Sequence, residues 1–135
     1  MMIRKADEET EAGLMPGQEL LGAMAKYNED LVNAGVMLAG DGLKPSSEGA
    51  RVKFAAGKPT VVDGPFAESK ELIAGYTIID VKSRHEAIEW VRRWPPIDGH
   101  GNVEIELRQL YELSDFPAGE GLAHHVRNKD QLANM

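Results

Sequence analysis

The chain has 135 residues, a formal net charge of −7 and no cysteine, which bounds it to one domain and excludes a disulfide framework, thiolate metal sites and a cysteine nucleophile. An acidic chain repels phosphate backbones unless its basic residues cluster, and Arg4-Lys5, Lys82 to Arg84 and Arg92-Arg93 are short runs without interleaved aromatics, so nucleic-acid binding is disfavoured. No stretch reaches the ~20 apolar residues of a membrane-spanning helix, and MMIRKADEE lacks the apolar run of a signal peptide, so the expectation is a cytoplasmic protein.

MMIRKA reads as the tail of a strand, and ADEETEAGLMPG as a polar loop after it. From Pro16 to Ala34, Leu20, Met24, Tyr27, Leu31 and Ala34 recur at helical spacing, with Gly35 as C-cap. Val36 to Ala39 is a short apolar strand closed by the turn-rich GDGLKPSSEG. Arg51 to Ala55 and Pro59 to Val62 flank AAGK as a hairpin. Leu72 to Val81 is too continuously apolar for an exposed strand. Ser83 with Glu86 forms a capping box that opens a second helix, with Ala87, Ile88, Val91 and Trp94 on one side, and Pro95-Pro96 ends it. Trp94 belongs to the core, and Trp90 shoulders a pocket or a dimer seam. Residues 103–113 alternate apolar and polar, as a strand covered on one face does. The tail, 114–135, adds a helix through Leu122, Val126 and Leu132 beyond a folded domain of residues 1–113.

The order is β-α-β, hairpin, β-α-β. Two such units with both helices on one face of an antiparallel sheet make a ferredoxin-like α+β domain with an inserted hairpin. The other sheet face then needs cover, and a second copy packed sheet against sheet supplies it, so a homodimer is expected.

Between the hairpin and the next strand stands VVDGPFAESKE. Asp63-Gly64 announces a tight turn, yet Pro65 has no amide hydrogen to close one. The chain must therefore leave the strand and run on as an irregular segment, anchored by the large apolar ring of Phe66. This leaves Asp63 at a strand end beside Glu68, Ser69, Lys70 and Glu71, on the kind of loop where sites concentrate. The competing reading has Asp63 bonding the amides of its own turn, with Glu68, Lys70 and Glu71 as a solvated charge cluster. His85, His100, His124 and His125 include no pair at i, i+4 and no HExxH, so no metal and no cofactor is expected.

DGPFAESKE, with AGVMLAGDGLKPSSEGARV upstream and ELIAGY and RHEAIEW downstream, resembles the DGPF-domain branch of the YCII-related proteins. The resemblance covers most of the chain, from MIRKADEETEAG to about Glu112. It implies a ferredoxin-like domain that assembles as a dimeric α/β barrel, and a chain that ordinarily starts a few residues earlier. It also implies a His–Asp pair in a cleft between helix and sheet, with no settled reaction. Asp63 matches the aspartate, whereas Tyr27 and Asn28 stand where the histidine is sought in the first helix. On this resemblance the chain is a small-molecule-binding dimer, with an enzyme of lyase, isomerase or oxygenase type as one reading. Asp63 would then be the acid or base and Tyr27 an orienting donor. Lys5, at the end of the first strand, or Lys70 would anchor an anion, with Phe66, Glu68 and Glu71 completing the ligand-binding set. The alternative is a non-catalytic ligand-sensing or partner-docking module associated with sigma-factor regulation. A third reading treats DGPF as a device of the fold.

Overall fold

The computed structural model describes residues 1–135, leaving the side chain of Ser69 aside. Its first strand, β1 (Met2–Lys5), sets the two faces of the sheet. Strand side chains alternate, so Met2 and Arg4 point one way and Ile3 and Lys5 the other. Met2 is buried against Tyr27 and Leu31 of α2 (Gln18–Asn33). β1 lies between two antiparallel neighbours, β5 (Ile73–Ile79) and β6 (Ile105–Leu107), and β2 (Met37–Gly42) pairs with the far edge of β5. The four-stranded order β2-β5-β1-β6 is the ferredoxin-like arrangement.

The long helix α2 and the shorter α3 (Arg84–Val91) cover one face, where Met24, Tyr27, Leu31, Trp90 and Val91 pack on Met2, Met37, Ile79, Ile105 and Leu107. The continuous apolar run of β5 is explained by its central place between β1 and β2. Within one chain the sheet stays open.

The hairpin falls where its sequence puts it, as β3 (Ala50–Ala55) and β4 (Lys58–Asp63), but forms a separate two-stranded sheet. Ala56 and Gly57 both take positive φ, the primed geometry of a two-residue hairpin turn. The expected polar loop after β1 instead contains a helical turn, α1 (Glu8–Glu11). Asp7 caps it by accepting from the Thr10 amide at 2.8 Å, while the Thr10 hydroxyl accepts from the Asp7 amide at 2.8 Å.

The capping box expected at the second helix is half made. Ser83 accepts from the Glu86 amide at 3.1 Å, but the Glu86 carboxylate takes the amide of Lys82. The strand expected over 103–113 shortens to β6, because Leu107 already pairs with Met2 and Arg108 donates its amide to Met1. Residues 109–113 lie outside the sheet. The tail helix forms as α4 (Glu120–Ala133), with no residue buried.

Candidate functional site

The DGPF stretch departs from β4 through a close backbone approach. A Cβ on Gly64 would run into the carbonyl oxygen of Ser46, so only glycine fits there. The Gly64 amide donates to the Gly49 carbonyl at 3.0 Å, and the Phe66 amide donates to the Ser46 hydroxyl at 3.1 Å. Ser46 lies in a 3-10 turn at Ser46–Glu48, after β2. Its hydroxyl donates in turn to the Glu11 carboxylate of α1, whose other oxygen takes the Ser46 amide at 3.0 Å. The chain Glu11–Ser46–Phe66 thus ties three separated segments together.

Phe66 anchors its loop by packing under the Arg51 guanidinium, 3.9 Å from the ring centre. Arg51 also pairs with Glu68 at 3.2 Å. The loop's own backbone hydrogen bond and then Arg51 hold the exposed Glu68 carboxyl below its ordinary value. Asp63 is exposed at the end of β4, opposite Ala50. Among the described residues no hydrogen bond or ion pair engages its carboxylate, so it does not cap its own turn. Glu71 is exposed, and its amide bonds the Glu68 carbonyl at 2.9 Å.

Lys5 and Lys70 meet elsewhere. A cleft of about 390 Å³ at the end of β1 is lined by Arg4, Lys5, Asp7, Lys70, Asn102 and Glu104. β1 brings Lys5, the 3-10 turn Ser69–Glu71 brings Lys70, and the residues ahead of β6 bring Asn102 and Glu104. The Lys5 ammonium lies 4.0 Å from Glu106. It does not pair with Asp63, because the hairpin is not part of the sheet to which β1 belongs.

One wall of this cleft is a network that sequence reasoning missed. Arg4 grips Asp98 through Nη2 and Nε, at 2.7 and 3.1 Å, and reaches Asp7 through Nη1 at 3.1 Å. The indole of Trp94 donates to Asp98 at 2.9 Å. Asp98 is buried. Burial pushes its carboxyl up, but the bonds from Arg4 and Trp94 and the Arg4 charge outweigh it and hold the group below its ordinary value. Burial likewise pulls Arg4 down, and Asp98 with Asp7 more than reverses it. The backbone turns sharply after Asp98, with positive φ at Gly99, His100 and Gly101, which returns the chain towards β6. The legible signal was Arg4 itself. Sharing the helix-covered face with Met2, it required a carboxylate partner.

Tyr27 belongs to the core. Its hydroxyl donates to the Trp90 carbonyl at 2.7 Å, its ring lies 5.3 Å from that of Trp94, and burial pushes its pKa up to about 12. These partners do not include Asp63. Trp94 is packed on the core as expected, and Trp90 packs there too, with the Arg93 guanidinium 4.3 Å over its ring. His100 pairs with Glu9 at 2.9 Å. Among the described residues, no three His, Asp or Glu side chains converge in a group fit to hold a metal ion.

A stretch of 77 residues, 56% of this chain, is 34% identical to an uncharacterised protein of Rhizobium meliloti (strain 1021), and covers 62% of that relative's length. Residues 1–111, from β1 through β6 and the hairpin between them, match the YCII-related domain, and the chain belongs to that family.

Proposed function

We propose that this protein binds a small polar molecule bearing an anionic group in the cleft at the end of β1, and that it does so as a homodimer. The carrying observation is the cleft itself. Its volume of about 390 Å³ is in the range of small-molecule sites, and two lysines from separate elements line it beside the carboxylates of Asp7 and Glu104. Arg4 is already committed to Asp98 and Asp7, so it shapes the wall. Lys5 has one carboxylate at 4.0 Å, and no ion pair engages Lys70 among the described residues. Those two ammonium groups are left to meet a carboxylate or phosphate, with the Asn102 amide as a neutral donor. Asp63 does not line this cleft, so the reading is a binding site without an assigned reaction.

Dimerisation is supported by the sheet face away from the helices. By strand alternation Ala39, Ala74, Tyr76 and Ile78 lie there beside Asp41 and Glu106. An antiparallel sheet with apolar residues on its open side gains by packing on a second sheet.

A thermal-shift screen of small carboxylates and phosphates checks the site. Wild type should melt higher with at least one of them, as binding to the native state alone requires. The doubly substituted Lys5→Gln, Lys70→Gln chain should lose that shift while keeping its ligand-free melting point within a few degrees. An undiminished shift in the double variant would sink the proposal.

A further inference from the structure

The molecule exposes far more surface than its mass calls for. Its accessible area is 10197 Å², whereas a compact folded monomer of 14.8 kDa would show about 7,000 Å². The excess, about 3,000 Å², is more than enough to supply the roughly 1,000–2,500 Å² that each chain hides in an obligate dimer. Two elements carry a connected share of its exposed apolar side chains, beside others scattered over the chain such as Met15 and Leu38. In the hairpin, register places Val52 opposite Val61 and Phe54 opposite Pro59, all on one face. That face is bare: Val52 is 52% exposed, Phe54 70% and Val61 66%. In α4, Leu122 and Val126 lie on one side, with Leu132 about 80° further round from Leu122, and no residue is buried. Tyr111 and Phe116, rings 5.1 Å apart, stand exposed before it.

Neither element is stable on such terms alone. An isolated two-stranded hairpin is marginal in water, and so is a 14-residue helix without a packing surface. A helix laid on the apolar face of a sheet relieves both. Their lengths match, since 14 helical residues span about 21 Å and six strand residues about 20 Å. The exposures show that they do not cover each other within the chain. We infer that α4 is an exchange arm, docking on the Val52–Phe54–Pro59–Val61 face of the hairpin of a second copy. In a two-fold dimer each contact occurs twice, so one arm and one hairpin per chain leave neither uncovered. α4 lies beyond residues 1–111, which match the family domain. The inference rests on the self-association proposed above and not on the ligand.

The absence of cysteine gives a clean test. Full-length Phe54→Cys chains carrying a tag are mixed with untagged Val126→Cys chains, equilibrated, and treated with a short bis-maleimide. The inference expects a tagged–untagged covalent pair as the main product. It also expects Val126→Asp and Phe54→Asp each to raise the dimer dissociation constant measured by analytical ultracentrifugation, with helix and sheet content of the body retained. A dimeric mass with no mixed cross-link overturns the exchange arm and leaves the sheet-face dimer standing. A monomeric mass for wild type overturns both, and leaves these faces to a foreign partner. A doubly substituted Phe54→Cys, Val126→Cys chain that cross-links only within itself also overturns the inference, because α4 then folds onto its own hairpin.

Discussion

Arg4–Asp98 and Arg51–Glu68 are both arginine–carboxylate pairs, at 2.7 and 3.2 Å, and burial makes them different objects. The Arg4 and Asp98 side chains are 11% and 9% exposed, whereas those of Arg51 and Glu68 are 37% and 54% exposed. In the first pair each charge needs the other, because neither can fall back on water. In the second, water replaces either partner, and the stack of Arg51 on Phe66 matters more than the charge. The body of the domain is held by groups that cannot be separated. The DGPF region is held by shape and by hydrogen bonds to Ser46.

The contrast breaks most visibly at Asp98. Asp98→Ala leaves Arg4 buried with only Asp7 beside it and orphans the Trp94 indole, and should cost about 3 kcal/mol in denaturant unfolding. Glu68→Ala should change little. The acid side follows in sign. The native Asp98 carboxyl lies below 3.8, so its contribution is complete above that pH and is lost as pH falls through the native value. Asp98→Asn should remove that part of the acid slope.

Gly64→Ala comes next. The added methyl must displace the Ser46 carbonyl, for about 1–3 kcal/mol. The damage should be local, with proteolysis and hydrogen exchange rising around residues 44–49 and 64–72 while the body keeps its protection. Uniform loss of protection would show that the loop is not a separable unit. Tyr27→Phe removes one buried hydrogen bond to the Trp90 carbonyl and should cost about 1 kcal/mol, with ligand-induced thermal shifts unchanged. A lost shift would return Tyr27 to the site.

The smallest effect belongs to His100. Its pairing with Glu9 raises its pKa above 6.5. Its stabilisation is therefore complete below that pH and fades as pH rises through the native value. Both side chains are well exposed, 78% and 55%, so His100→Gln should only flatten a shallow decline in melting temperature.

The sequence alone determined the order of elements, because hydrophobic period and turn residues are local. The stripe through Tyr27 and Leu31, the AAGK turn and the continuous run of β5 each announced their form. Asp7 and Thr10 carried a cap signal too, hidden because the helix they start is one turn long. The proline of DGPF was likewise enough to forbid a tight return. What the tertiary structure decided was every pairing across the chain. Strand 103–113 looked continuous, yet its length depended on how much of β1 lay beside it. Lys5 and Asp63 both ended strands, yet they belong to different sheets, and Lys5 instead shares a cleft with Lys70. Asp98 lies 94 positions from Arg4. No local pattern marks a carboxylate whose environment is made by a residue at the other end of the chain. Local chemistry fixes what each segment can be, and burial, which is a property of the whole, fixes what each charged group must do.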